Sequence, residues 1–452
     1  MLDYLVIGGG PSGLIVNGEL EKSGLNGFCL EAGKIIKTET KDLYTGYQIL
    51  NGYKNKGLNV IFGKPLFLLN EAECVGGGSS VNSSLHHRVP RHIWQRWIVE
   101  YRLDNFKYEE AISLYEEVEK MFACSLSSLE MPDFYKKAKE TMKVERIKRW
   151  GNQTGNSFER KTAFDVIKEY YPNSVCKIKS GHKVLCIKKK ALTQFEITCK
   201  IEKKIKKLYC KNLFICAGAG YSPVLLADLK YHHRNLGKFK VHPTARVSLI
   251  PKKSKKYEEI VEPFQITEYF PELMIGSSAN RSFLSQANYP WKNSNVDFNS
   301  CLNLYAMAPS NKKGFQILRG IGKGTRFYNL GRTTAIKINF GLENIIEIAS
   351  RSNYSHIYSG GGVLNLNSYT KYLRDKFINR TVAKTLSSVH IFSSAAAGEN
   401  SEICPVRSNG SIDSIEGVYL MDSSCIPSCP TVNPQSTTVI FALKMIREFL
   451  RK

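Results

Sequence analysis

Residues 8–13 read Gly8-Gly9-Gly10-Pro11-Ser12-Gly13, and a lone acid, Glu31, stands at the end of the next apolar run. This spacing of glycines suits a backbone that must approach a pyrophosphate. Gly8 permits a tight turn, Gly10 lets the main chain come close to phosphate oxygens, and Gly13 allows a helix to pack tightly on a strand. N–H groups at the start of the following helix, around Ser12, supply donors and partial positive charge. Glu31 can accept from both hydroxyls of an adenosine ribose and would repel a 2′-phosphate. A second small-residue run, Gly76-Gly77-Gly78-Ser79-Ser80, offers further N–H groups and hydroxyls to the same phosphates. The chemistry implied is dinucleotide binding.

Other reactive residue types are less organised. His86, His87 and His92 have mixed spacing and no Cys or carboxylate partners, so no metal is expected. Gly320-Ile321-Gly322-Lys323-Gly324 lacks the third glycine of a dinucleotide loop, and no helix pattern follows. Reduction by NAD(P)H is therefore not expected. The cysteines are scattered from Cys29 to Cys429 without C-x-x-C spacing, and are expected to be small buried hydrophobes.

The elements that would position these groups can be read in outline. Tyr4–Ile7 reads as a buried strand, Leu14–Lys22 as a helix and Phe28–Leu30 as a second strand, the full strand–loop–helix–strand context of the fingerprint. Residues from Pro90 to Glu119 have helical periodicity, with Trp94, Trp97, Tyr101, Leu114, Val118 and Met121 as core positions. From about 173 to 210 the pattern alternates as a β-meander, including Val175–Ile178, and Leu213–Cys216 is a buried strand. The stretch from about 240 to 380 reads as strand-rich with few helix signals. No repeat or linker separates the segments, so interleaved domains are expected.

The 64 Lys+Arg against 40 Asp+Glu give a net charge of +24. The basic clusters at 188–190, 203–207 and 252–256 are short and set in strand-and-turn sequence, without a nucleic-acid signature. Nucleic acid is not expected; a weak peripheral attraction to anionic membrane or to an acidic partner is the residual reading. No apolar run is long enough to span a bilayer and no leader pattern precedes Tyr4, so a cytoplasmic protein is expected.

Three further segments, read with the first, resemble the glucose–methanol–choline (GMC) oxidoreductase family of FAD enzymes. They are Val75–Asn82 with Arg88 and Pro90; Cys216-Ala217-Gly218-Ala219-Gly220-Tyr221-Ser222-Pro223-Val224-Leu225-Leu226 with Asn235-Leu236 and His242-Pro243; and Gly417–Pro427 followed by Thr431-Val432-Asn433-Pro434-Gln435. The resemblance implies an α/β fold, with a Rossmann-like FAD-binding domain (1–90, 170–225 and 380–452) interleaved with a mainly antiparallel β-sheet substrate domain (226–379). A helical insertion or cap is expected over 91–169, as a further implication of the resemblance. It implies that Asn82 lies near the flavin ring, that Ala217, Gly218 and Asp422 lie along the cofactor, and that Asn433 and Pro434 open a closing helix at the flavin's pyrimidine edge. It also implies His390 as catalytic base and Asn433 as its partner, in oxidation of a CH–OH group with hydride passing to flavin N5.

This sequence departs from the family pattern in two places. The stretch after His390, Ile391-Phe392-Ser393-Ser394-Ala395-Ala396-Ala397-Gly398, keeps only small residues and Gly398, which leaves a non-redox or lost activity as the alternative. Val81 stands where some members attach FAD through histidine, so noncovalent FAD is expected. A segment with Tyr269, Phe270, Gln286, Asn288, Tyr289, Trp291 and Tyr305 suits a sugar- or polyol-like alcohol. The electron acceptor (oxygen, a quinone or a carrier protein) has no signature.

Overall fold

The computed structural model describes residues 1–37, 46–126, 130–154, 157–192, 194–253, 263–277 and 301–451. Its first layer is a seven-stranded sheet whose spine is parallel. Strand β1 (Leu2–Ile7) pairs in parallel with β2 (Gly27–Leu30) on one side and with the C-terminal half of β6 (Lys204–Ile215) on the other. Beyond β2 lies the two-residue β3 (Ile178–Lys179), and beyond the end of β6 lies β7 (Val418–Leu420), both parallel. The N-terminal half of β6 turns back through β5 (Gln194–Ile201) and β4 (His182–Ala191) as an antiparallel meander. One long strand therefore joins two kinds of sheet.

β1 has an unbroken apolar run, Tyr4 to Ile7, that is 0–4% exposed, as expected of a parallel strand covered on both faces. Helix α1 (Pro11–Lys22), with Pro at its first turn, lies on one of those faces. Helices α2 (Arg91–Tyr101) and α3 (Tyr108–Met121) and the closing helix α5 (Gln435–Leu450) complete the layer. Trp94 stacks edge-on to Phe106 with ring centroids 4.9 Å apart, and Phe441 of α5 lies 5.8 Å from Trp94. Both buried indole N–H groups are satisfied: Trp94 donates to the Phe106 carbonyl at 2.9 Å and Trp97 to Ser428 Oγ at 2.8 Å, so the rings add apolar area without an unpaired donor. At the far end of α5, Arg447 bridges Glu117 of α3 and Glu19 of α1.

The second layer is a larger, mainly antiparallel sheet centred on strands Thr244–Pro251 and Leu302–Met307. Distant pieces join it: Val144–Arg146 pairs with Phe264–Ile266, and Phe67–Leu69 pairs in parallel with Ser387–Ser388.

Three expectations are corrected. Pro172–Lys177 is a 3-10 turn, and only Ile178–Lys179 pairs as a strand, because Pro172 cannot donate to a ladder and opens a helical turn instead. Two long helices, Arg332–Ser350 and Lys371–Thr385, lie in the stretch read as strand-rich. The first is full of β-branched residues, yet Ile338, Leu342, Ile345, Ile346 and Ala349 fall on one buried stripe at helical spacing, and burial of that stripe outweighs weak propensity. Third, Asn433 before Pro434 has in sequence the form of a helix N-cap with Pro at the first helical position, but Pro434 itself occupies the cap position of α5 and no side chain among the described residues caps the helix.

Candidate active site

The carboxyl ends of β1, β2, β6 and β7 meet around one cavity of about 390 Å³. At its nucleotide end, Gly8 has φ +106° and a Cβ there would stand 2.2 Å from the Cys216 carbonyl oxygen. Only glycine permits β1 and β6 to approach so closely. Gly13 faces inward: its Cβ would lie 1.8 Å from the Gly8 oxygen. Gly10 differs, since a Cβ there would meet nothing within 4 Å and would project into open space. Gly8, Gly10 and Ser12 line the cavity; Gly13 does not.

Glu31 is 7% exposed and its carboxylate braces the loop. Oε2 accepts from the Gly9 N–H at 2.7 Å and Oε1 from the Gly33 N–H at 2.8 Å. Burial pushes its pKa up to about 7, against the lowering effect of those N–H groups. Asp422, at the end of β7, accepts from the Gly218 N–H (2.8 Å), Ser222 Oγ, and the Ser424 N–H (2.8 Å) and Oγ. It ties the Ala217–Gly218 turn to β7, and all three residues line the cavity. Burial raises its pKa.

The second glycine run divides in the same way. Gly77 lines the cavity and its φ of +51° sets it against Gly10, whereas Gly76, Ser79 and Ser80 lie behind the wall. Ser79 Oγ donates to the Gly76 carbonyl and accepts the Ala163 N–H at the start of α4 (Ala163–Tyr170); Ser80 Oγ donates to the Val75 carbonyl. These hydroxyls hold the loop and are not turned toward a phosphate. Asn82 does line the cavity, but its amide is engaged, donating to Gln435 Oε1 and accepting the Ser84 N–H.

At the opposite end His390, Asn433 and Pro434 line the same cavity, with Thr244, Arg246, Tyr305 and Met307 around them. Of the aromatic and amide residues expected here, Tyr305 is present. Tyr269 packs on Phe340 outside the lining, and Gln286, Asn288, Tyr289 and Trp291 lie outside the described residues. His390 Nδ1 lies 3.0 Å from Nδ1 of His242, which in the sequence stands only as part of the His242-Pro243 spacing. No sequence signal links positions so far apart. Burial first, then the neighbouring His242, Arg246 and His87, hold His390 well below the usual imidazole pKa, and burial pushes His242 down to about 3. Both rings are neutral at ordinary pH. His86 and His87 are structural: His86 bridges Ser436 and Glu119, and His87 meets Gln265. Gly320–Gly324 is a hairpin tip between the strands Gly314–Gln316 and Arg326–Phe327.

A long two-ended cofactor fits this cavity. Among the described residues, the hydroxyl of Ser12 and the amide nitrogen of Gln435 are buried without hydrogen-bond partners at its two ends. Among the described residues no side chain caps the start of α1, which leaves first-turn N–H groups for an anion.

Family profiles described as GMC oxidoreductase match residues 2–156 and 337–442. The chain is 24% identical to an uncharacterized GMC-type oxidoreductase of Sinorhizobium fredii, over 98% of this chain and 93% of that one. It is 22% identical to a long-chain-alcohol oxidase of Arabidopsis thaliana, over 96% of this chain and 66% of the relative. Pyridoxine 4-oxidase from Mesorbium loti superposes with a TM-score of 0.74 at 13% identity, over 100% of both chains. A formate oxidase from Aspergillus oryzae RIB40, in a variant studied for FAD modification, gives a TM-score of 0.76 at 13% identity, over 99% of this chain and 97% of that one. The protein belongs to the GMC oxidoreductase family, whose members bind FAD. Among the described residues, no helix is long and apolar enough to cross a membrane.

Proposed function

We propose that the protein oxidises the CH–OH group of a small alcohol, using noncovalently held FAD. The observation that carries this reading is a single cavity with a nucleotide cradle at one end and His390 with Asn433 at the other. Bound FAD would supply the acceptor for the hydride that leaves carbon.

In this reading Gly8, Gly10, Ser12, Gly77, Ala217 and Gly218 hold the cofactor's phosphates and Glu31 its adenosine ribose. Asp422 acts indirectly, by fixing the turn at Gly218. Val81, whose carbonyl accepts from Tyr53 OH, offers no attachment atom, so flavin should leave on denaturation. His390, neutral at ordinary pH, takes the hydroxyl proton, and Asn433, whose amide makes no hydrogen bond among the described residues, orients the same oxygen. The cofactor domain is taken as 1–90, 170–225 and 380–452, with 91–169 as a cap and 226–379 as the substrate domain.

Of the aromatic and amide residues named for a sugar or polyol substrate, Tyr305 is the one among the described residues that lines the cavity and supports it. Leu85, Met307, Val389 and Ile391 in the lining favour a second reading, an aliphatic or aromatic primary alcohol. Anaerobic bleaching of the flavin against sugars, polyols, choline, pyridoxine and aliphatic alcohols of rising length separates the two. No bleaching by any alcohol would point instead to a non-redox role.

A further inference from the structure

Behind His390 stands a row of side chains that the proposed chemistry does not yet use. His242 is 1% exposed, its Nδ1 faces His390 Nδ1 at 3.0 Å, and its Nε2 lies 2.9 Å from Cys429 Sγ. Backbone register explains the pairing. Strand Lys238–Val241 runs antiparallel to Ile391–Phe392, with Lys240 opposite Phe392 and Val241 opposite Ile391, so the next rung sets His242 opposite His390.

Two neutral imidazoles that face each other through Nδ1 share one hydrogen, so the tautomer of either ring decides that of the other. If His242 carries its hydrogen on Nε2, it donates to Cys429 Sγ and accepts from His390 Nδ1–H. His390 Nε2 then keeps a free lone pair. In the opposite arrangement the Cys429 thiol donates to His242 Nε2, His242 donates to His390, and the hydrogen moves to His390 Nε2, which can no longer take a proton. The surroundings of Cys429 favour the first arrangement. Burial pushes the Cys429 thiol up to about 11, so it keeps its hydrogen, but the backbone N–H groups of Thr431 and Ser310 and the cations of Lys240 and Arg96 act against that rise, a setting in which the sulfur accepts from His242 more readily than it donates. His390 Nε2 has no partner among the described residues, and the ring lines the cavity.

We propose that His242, backed by Cys429, is a positioning residue that holds His390 as the Nδ1–H tautomer and presents a free Nε2 lone pair to the cavity. The inference rests on the reading of His390 as base, but it also makes a claim about hydrogen positions that can be checked without turnover.

The test uses flavin-loaded enzyme labelled with ¹⁵N in its histidine rings, with His390 assigned by the signals lost in His390→Ala. Wild type should show a protonated Nδ1 and a bare Nε2 on His390. His242→Phe, which fills the site without an acceptor, should shift His390 toward the other tautomer. It should also slow flavin reduction about 10–100-fold, the size typical of an outer hydrogen-bond partner, with substrate affinity unchanged. His242→Gln, whose amide oxygen can accept, should restore most of that rate. Cys429→Ala should mix the tautomers, and serves if His242→Phe does not fold. A wild-type His390 carrying its hydrogen on Nε2 overturns the proposal, as does a His242→Phe or Cys429→Ala variant with unchanged tautomer and rate. A His390→Ala variant of full activity would instead sink the base reading, while the tautomer measurement stands.

Discussion

His390 has a pH signature that an exposed histidine would lack. Burial and the facing groups His242, Arg246 and His87 all depress its pKa, so it is already neutral below the usual 6.5. Flavin reduction should therefore persist as pH falls through 6.5, and stopped-flow rates across pH 5–8 will show whether the acid limb lies lower. His390→Ala should keep FAD and slow reduction about 10²–10⁴-fold, the usual contribution of a positioned acid–base group. Asn433→Ala should slow reduction less and leave the melting temperature unchanged, because its side chain does not cap α5; a clear loss of stability would contradict that placement. Glu31 has a linked effect on folding. Its folded pKa, about 7, exceeds the ordinary 4.5, so the folded state binds the proton more tightly than the unfolded state. Glu31 thus favours folding at low pH, and that contribution is lost as pH rises from about 4.5 through about 7. Thermal scans of cofactor-free wild type and Glu31→Gln between pH 5 and 8 should show a steeper decline in wild type.

Three glycines of one motif are required for different reasons, and that difference shows only when the loop is seen as a joint between elements. Gly8 and Gly13 keep β1, α1 and β6 in contact, and a methyl group at Gly13 would overlap the Gly8 carbonyl. Gly13→Ala should therefore lower the stability of the cofactor-free protein by several kcal/mol, through overpacking against a backbone that cannot yield. Gly10→Ala meets open space and should leave apo stability within about 0.5 kcal/mol, while flavin retention after gel filtration falls. Equal loss of stability in both variants would contradict the division of roles. The two small-residue runs looked alike in sequence, yet Ser79 and Ser80 spend their hydroxyls inside the wall. Hydrogen-bond direction is a property of the folded loop. Helix Arg332–Ser350 was hidden for another reason: its isoleucines and threonines suggest strand until a partner surface exists for the stripe from Ile338 to Ala349.

At the scale of the whole molecule, the parallel sheet is assembled from the start, middle and end of the chain. β7 covers the outer side of β6, and Phe449 of α5 packs against Phe214 with centroids 5.1 Å apart. A fragment of residues 1–225 lacks both elements and should fail to bind flavin or to show near-ultraviolet circular dichroism; a soluble yellow fragment would refute that dependence. Such long-range pairing also puts a limit on what local sequence can reveal. The strand–glycine–helix–acid unit at 2–31 was legible because turn, phosphate contact and packing all act within one short segment, where residue type and spacing carry the physics. The presence of His390 and Asn433 on one cavity was accessible through family resemblance. The partnership of His390 with His242 was not, because it depends on the register of strands Lys238–Val241 and Ile391–Phe392. Sequence by itself determined the cofactor class, the α/β architecture and the residues available for chemistry. Tertiary structure alone decided which glycines face the cavity and which hydroxyls are already spent. It also decided which ring stands behind the base, since strand register brings together His242 and His390, 148 residues apart, and burial is fixed only when the segments pack.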